Sequence, residues 1–344
     1  MKRKSTTKLI LISGGAVFTL AICSLNSVRA DQTCSCLRTW DNLGSGDWFD
    51  PSNWGPNHND VPDCAGVSCP PLSGASEVDI DNGGTAQISG LTQTAHACET
   101  FLGKDSGQSG SLSLDHATLE MCSPMHVGYQ GKGTLSIKNG GLVSTFFVAD
   151  IAAAAGSNGS VTVDGTNPDG RKSTWTVTQG AGDLRVGGIL NGAGGTGLLS
   201  VTNNGMVNAT TVHVYESGTL AGNGTVTGGT TIEGTITPSN GTLTMVGDIT
   251  FSGHATLECS VTPSAADKVN VSGGAASLGT TSRISVTMTG TTFTAGTTYT
   301  LLHADNGVSG RFLIISIKGG SGQCFTPTIT YDAHNVYLYL EPCS

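Results

Sequence analysis

The chain has 344 residues, of which 50 are glycine, 12% are charged and 6% are aromatic, a composition suited to turns and short strands and unfavourable to long helices. Its formal net charge is −9, with 16 Lys and Arg against 25 Asp and Glu. Such a surface repels nucleic acid and anionic lipid, and no basic patch interleaved with aromatics offsets it, so nucleic-acid binding is excluded as an expected function.

Residues 1–30 have a basic head (Lys2, Arg3, Lys4, Lys8), an apolar run from Leu9 to Cys23, and Val28-Arg-Ala30 at the end, the layout of a cleaved secretory leader. Ser13, Gly14 and Gly15 interrupt a run already short of the roughly 20 residues a membrane span needs. No later stretch is a better candidate, so no transmembrane segment is expected after leader removal. Removal takes away five basic residues, leaving 11 against 25 and a net charge of −14. The expected location is the exterior or the cell surface, with the periplasm as the other oxidising compartment.

Residues 31–75 differ from the rest. Three of the four tryptophans (Trp40, Trp48, Trp54) fall here with Cys34, Cys36, Cys64 and Cys69, which reads as an N-terminal cap closed by disulfides. Packing and turn capping account for its aromatic and acidic residues. The alternatives are calcium ligation by Asp41, Asp47, Asp50, Asn53 and Asp60, stacking of the tryptophans on a glycan, and a zinc site that includes His58.

From 76 to 318 the chain is repetitive. Gly133-Thr-Leu-Ser-Ile-Lys-Asn-Gly-Gly141 alternates apolar Leu135 and Ile137 with polar Ser136 and Lys138 before a turn that tolerates positive φ, the signature of a half-buried strand. Variants place Leu112, Leu135, Val161, Leu199, Leu220 and Leu243 in equivalent positions, spaced by 23, 26, 38, 21 and 23 residues; the long interval is expected to hold an extra strand at 173–178. Such periods mean a solenoid, in which stacked turns bury a core that no turn closes alone. Most of the sequons at Asn158, Asn208, Asn223, Asn240 and Asn270 read as Asn-Gly turns of the solenoid.

Removal of Cys23 leaves nine cysteines, consistent with an oxidising compartment. Cys98 and Cys122 are 24 residues apart, about one coil, and are expected to stack on neighbouring coils and to bridge if their Cβ atoms face each other. Cys259 shares the apolar side of Leu257-Glu-Cys259 and reads as a buried free thiol. Residues 319–344 form the last unit: 328–331 and 336–340 flank Asp332-Ala-His-Asn335 as a hairpin, and a turn centred between Ala333 and His334 pairs Cys324 with Cys343.

No catalytic constellation emerges. Lys132, Lys138, Arg171, Lys172 and Arg185 are scattered, while Asp164, Asp169 and Asp183 sit at turns or strand ends where turn chemistry explains them. His116, His126 and His213 lie on different turns and meet only if turns stack laterally. No metal or cofactor site is assigned, although calcium remains a candidate.

Gly46-Asp-Trp-Phe-Asp-Pro-Ser-Asn-Trp54, Val78-Asp-Ile-Asp-Asn-Gly-Gly84, Val127-Gly128 before Gly-Thr-Leu-Ser-Ile, and Gly218-Thr-Leu-Ala-Gly-Asn-Gly-Thr-Val226 together resemble the bacterial repeat proteins associated with autotransporter passengers and PEP-CTERM sorting. The likeness spans about residues 40–312. It implies a right-handed parallel β-helix outside the cell, here with a disulfide-rich N-terminal cap, a C-terminal hairpin and no following translocator barrel. The expected function is a secreted or cell-surface, adhesin-like structural solenoid with no catalytic residues, binding an extracellular glycan or cell-surface component, with self-association as a further expectation. A polysaccharide lyase or hydrolase on the same scaffold is the alternative.

Overall fold

The computed structural model describes residues 37–55, 62, 77–90, 93–190, 192–320 and 324–343. The expected leader and residues Cys34, Cys36, His58, Asp60, Cys64 and Cys69 lie outside them. The described chain is all-β and coils through long parallel sheets, with one 3₁₀ turn at Pro51–Asn53 as its sole helical element. No helix of the described residues is long and apolar enough to cross a membrane.

Each coil contributes a strand to three faces. Lys132–Lys138 belongs to the first, a twelve-stranded sheet. The next strand, Leu142–Ile151, bends between two register shifts, so that 142–144 lies on the second face and 148–151 on the third. Alternation then decides which side chains enter the core: Leu135 and Ile137 point in, Thr134 and Ser136 point out. The register stacks Leu112, Leu135, Val161, Leu199, Leu220, Ile236, Leu257 and Ile284 in one column, all fully buried. A buried side chain of this size contributes roughly 1.5–3 kcal/mol, and only the neighbouring coils provide that burial.

The expected Asn-Gly turns are present, with Asn139 at φ 51° and Gly140 at φ 78°, and Asn203 and Asn204 also left-handed. Two expectations about the repeat are corrected. Leu243 pairs with Val269 on the second face, and Ile236 takes its assumed place in the first column, one short coil of 16 residues after Leu220. The same alternation serves all three faces, so it does not say which face a strand occupies. The strand at 173–178 is likewise an ordinary rung, Thr174 pairing with Leu142; the added length lies around the Thr166–Lys172 bridge and in the hairpin of Gly188–Ile189 with Gly192–Ala193.

At the N-terminal end, Arg38–Trp40 pairs antiparallel with Trp54–Gly55 and parallel with Glu77–Ile80, while Ser45–Asp47 pairs with Asn82–Ser89. The Trp54 ring meets Trp40 and Trp48 edge-on at 4.9 and 4.8 Å, and its Nε1 donates to the Trp48 carbonyl. All three rings are at most 1% exposed, so they are core and present no stacking face to a glycan. The acidic residues serve turns: Asp50 accepts from Ser52 N and Oγ, and Asp47 accepts from Phe49 N.

At the other end, Phe325–Tyr331 and Asn335–Pro342 form the expected hairpin, with pairs running from Tyr331 and Val336 out to Phe325 and Pro342. The next pair in that register is Cys324 with Cys343, joined by a backbone bond from Cys343 N to the Cys324 carbonyl; both are free exposed thiols here. The hairpin's second strand also runs antiparallel along Thr298–Ala304, covering that edge. The twelve-stranded sheet ends differently, on Ile314–Lys318, with Leu313 65% exposed.

Cys259 is a buried free thiol as expected, its pKa raised mainly by burial. The Cys98–Cys122 bridge is corrected. Register places the two on adjacent coils with sulfurs 3.6 Å apart, but Cys122 is a free thiol and Cys98 belongs to another disulfide. Stacking brings two sulfurs close, but each forms only one disulfide bond.

Candidate functional site: a charged column on the third face

The short strands of the third face each end on a buried apolar residue at the turn back to the first face: Ile80, Leu102, Val127, Ile151, Val186 and Val214. The residue before each points outward, and the ladder stacks these as Asp79, Phe101, His126, Asp150, Arg185 and His213. Rungs about 4.8 Å apart force contact between such neighbours. Residues far apart in sequence thereby form one continuous strip.

The strip is closely packed despite facing outward: Asp79, His126, Asp150 and Arg185 are 6%, 8%, 2% and 8% exposed. Asp150 holds the centre, with Oδ1 3.3 Å from an Arg185 guanidinium nitrogen and Oδ2 3.1 Å from His126 Nδ1. Arg185 also reaches Asp183 at 3.2 Å, and Asp183 accepts from Thr211 Oγ1 at 2.5 Å. On its other side His126 Nε2 lies 3.4 Å from Glu99, and its ring stacks on Phe101 at 4.7 Å with Tyr129 edge-on to both. Farther along, His213 stacks on Tyr215 at 3.9 Å and faces Glu233 at 3.3 Å. At the head of the column, Lys104 pairs with Glu77 and, at 3.2 Å, with Asp79.

Burial raises the Asp79 carboxyl to about 7, with smaller contributions from Asp81, Asp105 and Glu99. For His126 burial is the largest single influence and acts downward, but hydrogen bonding and charge from Asp150 and Glu99 together outweigh it and leave the pKa raised. Both groups hold their protons more tightly when folded than when unfolded, so their stabilising effect is complete below the unfolded pKa and is lost as pH rises through the folded one. For Asp79 that window runs from 3.8 to about 7; for His126 it begins at 6.5 and extends upward. The melting temperature is therefore expected to fall between about pH 5 and pH 8, and Asp79→Asn to flatten the lower part of that slope. Calorimetry across this range checks it; a melting temperature that rises with pH would contradict the assignment.

Of the histidines singled out in the sequence, His126 and His213 do share this column, three rungs apart, with Asp150 and Arg185 between them. His116 does not; it sits at a left-handed turn beside Asn167. Asp183 joins the column, whereas Asp164 caps a turn through Thr202 and Asn203, and Asp169 lies near Asn167. Sequence reading missed Asp79, Glu99, Lys104 and Asp150 and left Arg185 among scattered cations. The signal available was positional, the residue preceding each coil-end aliphatic, as in His126-Val127-Gly128 and Arg185-Val186-Gly187.

A second regular surface lies on the first face. Outward columns there read Thr85, Ser111, Thr134, Ser160 and Gln87, Ser113, Ser136, Thr162, Ser200. Among the described residues no group of three His, Cys, Asp or Glu side chains is placed to hold a metal ion. No protein-family model matches this chain, and no curated protein is significantly similar to it.

Proposed function

We propose that the chain is a secreted or cell-surface β-solenoid of passenger type, wound right-handed and closed by a disulfide-bearing N-terminal cap, that adheres to extended glycans or to a cell-surface component carrying them. The observation that supports this reading is the pair of outward Ser/Thr columns on the first face. Apart from Ser136, whose hydroxyl is buried, they set side-chain polar groups about 4.8 Å apart between coils and roughly 6.6–6.8 Å apart along a strand, a repeating polar surface suited to a repeating polymer. The purified full chain, disulfides intact, is tested against acidic and neutral polysaccharides with calcium, reading retention and chain cleavage in the same samples. Retention without cleavage is expected; absence of retention on every polymer would overturn the reading.

The proposed oxidised state extends to the C-terminal hairpin, where register-paired Cys324 and Cys343 close a disulfide in an oxidising compartment. A non-reducing peptide map is expected to recover them as one linked peptide; alkylation of Cys324 as a free thiol in the secreted protein would contradict this.

A further inference from the structure

We infer that the head of the charged column, around Asp79, Glu77 and Phe101, is a site for a primary ammonium group presented by a cationic amino-sugar glycan, and that Lys104 occupies it in the free protein. This rests on the glycan-binding reading and names the class of sugar that this part of the surface takes.

An ammonium is already bound there. Lys104 Nζ pairs with Glu77, lies 3.2 Å from Asp79 Oδ2, and sits over the Phe101 ring at 4.8 Å from its centroid. Two carboxylates and an aromatic face are the groups that recognise a cationic amine. Lys104 does not complete the site, because Asp79 Oδ1 is buried with no hydrogen-bond partner although Asp79 is only 6% exposed. A buried acceptor left without a donor is costly, and one lysine does not reach both oxygens. Charge points the same way: Asp81, Asp105 and Glu99 all act on Asp79 and favour a cation beside it. Lys104 itself is held by no regular element, since it follows Gly103 in the turn between Glu99–Leu102 and Ser109–Asp115. It can therefore swing aside for a ligand ammonium that brings further donors.

A Lys-rich peptide carries the same charge but adds no hydroxyls for the Ser/Thr surface, so the amino sugar is favoured. The test compares a glucosamine oligomer, its fully N-acetylated counterpart and an oligolysine of equal length, each titrated into the full chain and into Lys104→Ala and Asp79→Asn. The glucosamine oligomer is expected to bind at least tenfold more tightly than the other two; Lys104→Ala strengthens that binding about tenfold by removing the internal competitor, and Asp79→Asn weakens it about tenfold. A second measurement needs no glycan: methylammonium raises the melting temperature of Lys104→Ala and leaves the wild type unchanged. Equal binding of acetylated and free oligomers would overturn this inference while leaving the glycan reading in place. Equal binding of oligolysine would overturn the choice of sugar. Absence of both glucosamine binding and methylammonium rescue would remove the site altogether.

Discussion

Replacing Gly133 with alanine is expected to cost more than about 3 kcal/mol, or to prevent folding, although the change adds one methyl group. Gly110, Gly133, Gly159, Gly197 and Gly218 stack in register at the start of successive first-face strands. A Cβ on Gly133 would collide with Gly128 N and lie 2.5 Å from the Leu102 carbonyl oxygen and 2.6 Å from Val127 C. All three are backbone atoms of coil corners, and no rotamer change relieves them. The repeated glycine therefore supplies room where the chain passes beneath the end of a third-face strand. Gly107→Ala is the control, because its φ is +81° with open space around it, and a cost of roughly 1–2 kcal/mol is expected there. Urea unfolding of both variants checks this; equal losses would contradict the close-packing account.

Asp150→Ala is expected to destabilise the protein by about 3–5 kcal/mol, the range for breaking a buried ion pair by removing one partner. Asp150 faces Arg185 on one rung and His126 on the other, and its loss leaves both charges buried with weaker partners. Replacing Asp150 and Arg185 together by leucine and methionine is expected to recover most of the loss, because two charges then leave the buried strip at once. Chemical denaturation of the two variants and the wild type near neutral pH checks this; a loss below about 1 kcal/mol for Asp150→Ala would show that water screens the column.

Period, alternation and turn residues made the solenoid legible, because a strand such as Lys132–Lys138 shows its buried side in its own sequence. The C-terminal hairpin was equally local, and the pairing of Cys324 with Cys343 followed from the turn position. Sequence reasoning failed where the answer depended on which face a strand joins. Leu243 and Ile236 carry the same alternation yet lie on different sheets, and a short coil of 16 residues shifted the count. The charged column was hidden for the same reason. Asp79, His126, Asp150 and Arg185 belong to four coils of unequal length, so no fixed spacing joins them and only the register does. Cys98 and Cys122 show the converse limit, since coil length predicted their proximity but not which sulfur Cys98 would bond.

The first-face hydroxyl columns are proposed to hold an extended glycan. The most direct measurement places lysine at Thr134 and Thr162, outward positions on adjacent coils, and compares polysaccharide retention of the double variant with that of the wild type. Outward substitutions of this kind shift stability by no more than about 0.5 kcal/mol each, so the fold is expected to melt as before. Retention is expected to fall at least tenfold while melting is unchanged; undiminished retention by a folded double variant would place binding elsewhere on the solenoid.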